Sequence, residues 1–242
     1  MKTKYISMKC LCLAFILSFF TMNDCLAFLD PTENTTKPKV IYLTFDDGPS
    51  PLTGKFLDVL DKYNIKGTFF LVGNQIQDNA EVVKRLYDEG HGIGLHTYTH
   101  NYKAIYSNRN AFLMEMQKCQ DEVYNLTGTR PNIIRFPGGS RKRLDDDFLI
   151  QLHSLDYKVF DWNAYTSDGI DYRLPSERLY KEATKTTITC YPIILLMHCD
   201  YVNKNTLAAL PWIIKYYQQQ GFEFKAITNE TQEYYFPIYK KM

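Results

Sequence analysis

Short apolar runs alternate with longer helical patterns from residue 39 onward, and this alternation limits the folds that the chain can adopt. The apolar runs are rich in β-branched and aromatic residues, a composition that favours strands. The predicted strands are 40–45, 67–72, 92–95, 133–136, 157–162, 193–197 and 222–227. The predicted helices between them are 55–63, 80–89, 110–126, 145–155, 176–185 and 206–220. Strands that alternate with helices indicate a parallel sheet with crossover helices, arranged as an α/β layer or a barrel.

Chemically active side chains stand at or near the carboxyl ends of five predicted strands. They are Asp46-Asp47-Gly48, His96, Arg135, Asp161 and His198. The carboxyl ends of parallel strands converge on one face of a β/α fold, and active sites form on that face. Strands often end in polar residues, but Asp, His and Arg together indicate a site rather than turn chemistry. We therefore expect these residues to meet in one cleft.

The N-terminus has the features of an export signal. Lys2, Lys4 and Lys9 precede or border an apolar run over 10–20, and a small-residue exit follows at 25–27. This order is typical of a secretory signal peptide. An uncleaved membrane anchor is the alternative, although a spanning helix needs about 20 apolar residues and this run is interrupted sooner.

These features divide the chain into four predicted parts. They are a signal peptide over 1–27, a polar linker with prolines over 28–38, a catalytic domain over 39–230 and a C-terminal tail over 231–242. We expect the protein to be secreted or associated with the cell envelope, with no integral membrane domain if the signal peptide is cleaved. Without cleavage, the same segment would anchor it in the membrane.

Charge and cysteine content exclude two classes of function. Lys and Arg number 28 against 27 for Asp and Glu, so the chain lacks the single-sign field that nucleic-acid binding requires. Cysteines occur at positions 10, 12, 25, 119, 190 and 199, and cleavage after residue 27 would leave three of them. No Cys-x-x-Cys pair is present, so we do not expect cysteine to carry the chemistry.

A pair of histidines and a pair of aspartates suggest a metal centre. His96 and His100 are four residues apart, and a helix or a tight turn would place both imidazoles on one side. Asp46 and Asp47 supply candidate carboxylates, and the turn at Gly48-Pro49 lets both face one cleft. Two His and one Asp leave a coordination position open, as in catalytic zinc sites. The second aspartate could then act as a general base, but adjacency does not tell which of the two binds the metal.

Three further features suit hydrolysis of an acyl group. Arg135 could orient the base carboxylate through charge-assisted hydrogen bonds, with a surface ion pair as the alternative. Gly138 and Gly139 follow it, and glycines let backbone N–H groups approach a ligand as an oxyanion hole, although they also suit an ordinary turn. His198 ends an apolar run and could protonate a leaving amine, with a buried core histidine as the alternative.

These motifs together resemble the NodB-homology polysaccharide deacetylases, carbohydrate esterase family four. The segments that carry the resemblance are 44–50, 96–100, 135–139, 161–163 and 196–198, and it covers most of residues 39–228. The resemblance implies a distorted (β/α) barrel with its active site at the carboxyl ends of the strands. It also implies one divalent metal ion, with Zn²⁺ as the expected ion and Co²⁺, Ni²⁺ or Mn²⁺ as alternatives.

The resemblance also implies a role for each motif residue. The first aspartate of the pair, Asp46, becomes the base, with Arg135 beside it, and His198 becomes the general acid. The implied metal ligands are Asp47, His96 and His100. The amide of Gly138 becomes the oxyanion donor.

The fourth motif departs from the pattern of this family, in which an acidic residue tunes the catalytic histidine and a tryptophan lines the groove. Asp168 is the candidate partner of His198, with Asp161 behind it. Tyr165 stands where some members have the acid, and Trp162 is the candidate groove residue. We expect Trp162 and Tyr165 to contact substrate.

The leading hypothesis is a metal-dependent hydrolase that removes N-acetyl groups from N-acetylglucosamine or N-acetylmuramic acid residues of cell-wall peptidoglycan. One alternative is deacetylation of chitin oligosaccharides or O-acetyl xylan, and another is an inactive glycan-binding module of the same fold. Two His and one Asp also match the facial triad of an Fe(II) oxygenase, but the aspartate pair and His198 argue against it. We expect a monomer whose partner is a glycan polymer.

Overall fold

A computed structural model describes residues 38–185 and 192–238 of the chain. The expected signal peptide over 1–27, the linker up to residue 37 and Cys190 lie outside the described residues. Within the described part of the chain, no helix has the length and apolar character that a membrane crossing requires.

A parallel β-sheet forms the centre of the fold. The eight strands found in the described residues are β1 Val40–Gly48, β2 Thr68–Leu71, β3 Gly92–Leu95, β4 Ile133–Ile134, β5 Lys158–Val159, β6 Ala164–Tyr165, β7 Ile193–His198 and β8 Glu223–Phe224. The strands are hydrogen-bonded in the order β5-β4-β3-β2-β1-β7-β6, and β8 pairs with the first two residues of β1. All of these pairings are parallel, so the predicted parallel α/β architecture is confirmed.

Helices connect the strands, as expected for parallel pairing. They are α1 Thr53–Lys62, α2 Ala80–Asp88, α3 Tyr102–Ile105, α4 Arg109–Thr127, α5 Asp146–Ser154, α6 Ser176–Thr184 and α7 Lys204–Gln219. Six of these seven helices match the predicted helices within two residues at each end. The seventh, the short α3, was not predicted from the sequence pattern. Asn108 and Asp145 cap α4 and α5 by accepting hydrogen bonds from backbone N–H groups of the first turn.

The central strand β1 has two different faces. Ile41, Leu43 and Phe45 pack in the larger apolar cluster, together with helix residues of α1. Val40 and Tyr42 pack in a smaller cluster built from strand and loop residues on the concave side of the sheet. Because side chains alternate along a strand, Thr44 and Asp46 continue the concave face toward the carboxyl end. The inside of the half-barrel is therefore apolar at one end and polar at the other.

The two edge strands of the sheet, β5 and β6, follow each other directly in sequence. Only residues 160–163 separate them, and within the described residues no strand pairing joins them. The sequence pattern predicted one strand over 157–162, whereas the structure has the two-residue strand β5 within that range and the unpredicted strand β6 after it. The two strands pair with different neighbours, β4 and β7. The expected barrel is thus a half-barrel whose edges are linked by the chain itself.

Residues beyond the predicted domain boundary at 230 are hydrogen-bonded to the domain. Tyr234 forms a parallel bridge with Phe160, and the Asp161 N–H donates to the Tyr234 carbonyl over 2.6 Å. The Phe236 ring meets the Trp162 ring edge-on at 5.1 Å between centroids. The described part of the expected tail, 231–238, therefore packs against the half-barrel because it supplies backbone partners beside β5.

Candidate active site

The two adjacent aspartates face the same cleft, which an ordinary strand would not allow. Neighbouring side chains on a strand point to opposite faces. The register between β1 and β2 shifts between Asp46 and Gly48, and Asp47 has a φ of 65°, in the left-handed region. This irregularity has the features of a β-bulge, which re-aims a side chain. The bulge at Asp47, in addition to the expected turn at Gly48-Pro49, brings both carboxylates to the cleft.

The two histidines are brought together by a tight turn rather than a helix. His96 follows β3, and the imidazole centroids of His96 and His100 are 5.1 Å apart. Thr97 has a φ of 69° and His100 a φ of 54°, and each such non-glycine residue costs on the order of 1–2 kcal/mol. Glu115 of α4 offsets this strain because its carboxylate accepts hydrogen bonds from the backbone N–H groups of Tyr98 and Thr99 and from the Thr99 hydroxyl.

Asp47, His96 and His100 form a cluster that fits a divalent metal ion. One ligand atom from each lies within 4.8 Å of the other two. Asp47 Oδ1 is 3.3 Å from His100 Nε2 and 3.5 Å from His96 Nε2, and this buried oxygen has no hydrogen-bond partner among the described residues. A buried carboxylate oxygen without a partner is rare in proteins, and a cation would satisfy it.

The protonation state of His96 also suits metal binding. Its Nδ1 donates to the Arg135 carbonyl oxygen over 2.9 Å, which leaves Nε2 unprotonated and facing Asp47. Burial lowers the pKa of His96, although Asp46 and Asp47 oppose the shift, so the neutral imidazole is favoured. A neutral imidazole with a carbonyl behind it is the usual form of a metal-binding histidine. The cluster thus offers two nitrogens and one oxygen, the ligand set of catalytic zinc sites.

Arg135 lies beneath Asp46 and holds it in place. Its Nη1 donates to Asp46 Oδ1 over 2.9 Å and to Thr44 Oγ1 over 2.8 Å. Its Nε donates to the Phe160 carbonyl over 2.8 Å and its Nη2 to the Asp161 carbonyl over 3.1 Å. The Arg135 side chain is fully buried, so the alternative of a surface ion pair is wrong.

His198, which pairs with Asp46 across strands β1 and β7, is hydrogen-bonded to Asp168. Its Nδ1 donates to Asp168 Oδ1 over 2.9 Å and its backbone N–H donates to Asp168 Oδ2 over 2.8 Å. Burial opposes a charge on the imidazole, but the hydrogen bond and charge of Asp168, with Asp47 and Asp46 adding to them, raise the pKa of His198 to about 9. The His198 side chain is 16% exposed, so it is not a sealed core histidine.

The expectation that Asp161 stands behind this pair is wrong. Its carboxylate accepts hydrogen bonds from the Ser140 N–H over 2.9 Å, from the Ser140 hydroxyl and from the Phe236 N–H over 2.7 Å. Thr206 of α7 takes the place expected for Asp161, because its hydroxyl donates to Asp168 Oδ2 over 2.8 Å. The sequence did not reveal Thr206, since a threonine at the start of a helix has many ordinary roles.

Most of the expected site residues line one cleft of about 440 Å³ at the carboxyl ends of the strands. The expected site residues that line it are Asp46, Asp47, His96, His100, Gly138, Trp162, Tyr165 and His198. Arg135 and Asp168 do not line it and act from behind Asp46 and His198. Lining residues that sequence reasoning missed are Tyr102, Thr166, Gly169, Ile170 and Leu196.

Two of the missed residues are in direct contact with the histidines. The Tyr102 ring meets the His100 ring edge-on at 5.5 Å between centroids. A Cβ added to Gly169 would lie 2.3 Å from His198 Cε1, so the imidazole occupies the space of the absent side chain. Gly169 directly follows Asp168, and this Asp-Gly pair was the available sequence signal.

Sequence comparison finds relatives over most of the chain. A family model described as polysaccharide deacetylase matches residues 33–166. A peptidoglycan-N-acetylglucosamine deacetylase of Bacillus cereus is 33% identical over 211 residues, which cover 85% of this chain and 74% of the relative. A peptidoglycan-N-acetylmuramic acid deacetylase of Bacillus subtilis is 32% identical over 197 residues, which cover 80% of this chain and 72% of the relative.

Solved structures resemble the fold over a similar share of the chain. A polysaccharide deacetylase from Bacillus cereus superposes with a TM-score of 0.73 at 32% identity, covering 83% of this chain and 96% of that one. The catalytic domain of a peptidoglycan N-acetylglucosamine deacetylase from Eubacterium rectale gives a TM-score of 0.76 at 28% identity, covering 84% and 94%. The similarity in fold therefore extends over more than four fifths of the chain.

Proposed function

The chain belongs to the polysaccharide deacetylase family, and from this premise we propose that it hydrolyses the acetamido group of N-acetylglucosamine or N-acetylmuramic acid residues in peptidoglycan. One observation carries the proposal. The buried, unpartnered Oδ1 of Asp47 faces two imidazoles in a cleft that also holds Asp46 and His198. A base, an acid and a metal-binding cluster in one cleft are what amide hydrolysis requires.

Asp47, His96 and His100 would hold the divalent ion, with Zn²⁺ as the expected one and Co²⁺, Ni²⁺ or Mn²⁺ as alternatives. When bound, the ion would polarise the acetyl carbonyl and lower the pKa of a water molecule. Both histidines present Nε2 toward the Asp47 carboxylate, so the three ligand atoms converge on one point. This arrangement lowers the reorganisation that binding requires.

The other groups move the protons and stabilise charge. Asp46 takes a proton from the attacking water, and Arg135 fixes the position of this carboxylate by a hydrogen bond. Oxygen–carbon bond formation at the acetyl carbon places negative charge on the carbonyl oxygen, which the Gly138 N–H stabilises. His198 donates its proton to the sugar nitrogen as the carbon–nitrogen bond breaks, which releases acetate and a free amine.

Trp162 and Tyr165 supply the wall against which the sugar lies. Both line the cleft, and Tyr165 is 55% exposed. Aromatic faces suit the apolar faces of sugar rings. Export by the N-terminal segment 1–27 would bring the enzyme to the cell envelope, where a peptidoglycan substrate is found.

An acetate-release assay tests the proposal. The full mature chain is incubated with Zn²⁺ and N-acetylated peptidoglycan fragments, with chitin oligosaccharides and acetyl xylan as parallel substrates. We expect acetate from the peptidoglycan fragments, and a loss of at least about a hundredfold in Asp46→Asn because the general base is removed. Asp78→Asn, an exposed carboxylate away from the cleft, is the matched control.

The outcomes of this assay distinguish the proposed chemistry, the proposed substrate and a function in binding alone. No acetate from any substrate, or full activity in Asp46→Asn, rejects the proposed chemistry. Glycan binding without turnover identifies a binding module instead. Faster release from chitin oligosaccharides or acetyl xylan keeps the chemistry and rejects the substrate.

A further inference from the structure

The proposed oxyanion donor lies in a tight turn of defined geometry. The turn runs from Phe136 to Gly139, and the Gly139 N–H donates to the Phe136 carbonyl over 2.7 Å. Pro137 and Gly138 are its central residues, and Gly138 has a φ of 71°. Proline followed by a residue at positive φ is the signature of a type II turn. In a type I turn the central peptide would be rotated by roughly 150° to 170° about the chain.

Two side chains fix the orientation of this central peptide. The Tyr106 hydroxyl donates to the Pro137 carbonyl oxygen over 2.8 Å, and Arg143 Nη1 donates to the same oxygen. Arg143 Nη1 also donates to the Gly139 carbonyl over 2.8 Å, and its guanidinium lies 4.0 Å from the centre of the Tyr106 ring. Burial raises the pKa of Tyr106, which keeps its hydroxyl a donor. Arg143 is therefore engaged with this turn rather than with solvent alone.

The direction of the carbonyl determines the direction of the N–H. The peptide bond between Pro137 and Gly138 is trans, and in a planar trans peptide the C=O and the N–H point in opposite directions. With the Pro137 carbonyl turned to Tyr106 and Arg143, the Gly138 N–H points away from them. Gly138 lines the cleft, and its N–H has no hydrogen-bond partner within 38–185 and 192–238.

We infer that Tyr106 and Arg143 are positioning residues that hold the Pro137–Gly138 peptide with its N–H directed at the acetyl oxygen of the substrate. The inference rests on the proposed function and adds two residues to it, neither of which touches the reacting atoms. Donors that are fixed in advance stabilise developing charge without reorganisation during the reaction. If the carbonyl were released, the peptide could rotate and the N–H would leave the oxyanion position.

The key variants remove the donors while keeping the size of the side chains. Tyr106→Phe removes one hydroxyl, and Arg143→Met removes the guanidinium. Loss of an oxyanion donor costs about 10²–10³ in kcat, and loosening one should cost about tenfold or more. KM and zinc affinity should stay within about twofold, because the donor acts on charge that develops only in the transition state. The double variant should lose little more than the worse single variant, because both residues hold one carbonyl.

Two matched controls accompany these variants. Arg141→Gln removes a cation from the same loop, where Arg141 is exposed and lies over Phe236, and Tyr63→Phe removes a hydroxyl outside the cleft. The measurements are kcat and KM on an N-acetylated oligosaccharide, zinc affinity by calorimetry, and Tm. Full kcat in both key variants, or a loss confined to KM, zinc affinity or Tm, overturns the inference. Absence of acetate release by the unaltered chain instead overturns the proposed function, so the two failures are distinguishable.

Discussion

Asp168 holds His198 at two points, accepting from its ring Nδ1 over 2.9 Å and from its backbone N–H over 2.8 Å. One carboxylate thus fixes both the position of the residue and the direction of its ring. Because Nδ1 is occupied, Nε2 is the nitrogen left for the substrate. The departure of the fourth motif from the family pattern therefore does not leave the histidine without an acidic partner.

The first prediction concerns the alkaline side of the pH profile. His198 must carry its proton to act as an acid, and its raised pKa of about 9 keeps it protonated at neutral pH. Asp168→Asn removes the charge that raises the pKa, while burial continues to lower it. The pH at which kcat/KM declines should therefore move downward. Asp171→Asn, in an exposed pair with Arg173, should leave the profile unchanged. An alkaline limb that stays in place in Asp168→Asn would contradict the assigned pairing.

The second prediction tests the space that Gly169 leaves for the imidazole. An added Cβ would lie 2.3 Å from His198 Cε1, so Gly169→Ala must displace the ring. Amide hydrolysis should fall about a hundredfold or more, whereas hydrolysis of 4-nitrophenyl acetate should fall much less, because its leaving group needs no proton. Gly54→Ala serves as the control, since its Cβ would meet no atom closer than 3.8 Å. Equal losses on both substrates would refute a role through His198.

The third prediction concerns the stability of the buried ion pair. Arg135→Met leaves the Asp46 charge without its partner, and such a change costs about 3–5 kcal/mol of unfolding free energy. Adding Asp46→Asn to it should restore part of the loss, because the buried charge is removed as well. Arg130→Met, which breaks an exposed pair with Asp121, should cost less than about 1 kcal/mol. Urea unfolding measures all three, and similar losses in Arg130→Met and Arg135→Met would be inconsistent with this account.

The fourth prediction is that Glu115 strengthens metal binding indirectly, by holding the turn that carries the two histidines. Its carboxylate holds the turn between His96 and His100, and loss of such support typically weakens metal binding by about 10–100-fold. Glu115→Ala should therefore lower zinc affinity, measured by competition with a chelator. Glu122→Ala on the same helix α4, where the carboxylate accepts from Gln77, is the control. Unchanged affinity in Glu115→Ala would show that the turn keeps its shape unaided.

Sequence patterns predicted the long elements because local periodicity determines them. The strand β1 and the helix α4 are examples, since each has enough residues to display its period. The two-residue strand β6 was missed because its pairing with β7 depends on contacts that are distant in sequence. The short helix α3 was missed for a related reason, since four residues show too little of a helical period.

The site was predicted as a set of residues but not as a geometry. The spacing of His96 and His100 predicted their proximity, and the turn alternative is the one found. The different surroundings of Asp46 and Asp47 follow from the backbone bulge at Asp47. No residue type in the sequence predicts this bulge. The role of Arg143 has no signal in the sequence, because only the fold brings the Pro137 carbonyl to its guanidinium.

The direct link between β5 and β6 carries the part of the cleft proposed to contact the sugar. The part proposed to hold the ion lies elsewhere in the sheet, so the two parts can change independently. Trp162 and Tyr165 come from this link and from β6, whereas Asp47 lies on the interior strand β1 and His96 directly follows β3. A change in the length of 160–163 would move the Phe160 and Asp161 carbonyls that accept from Arg135. Substituting Trp162 or Tyr165 would instead reshape the surface that receives the sugar and leave the ion-holding strands in register. New glycan preferences can therefore evolve here, or be engineered, without rebuilding the hydrolytic machinery.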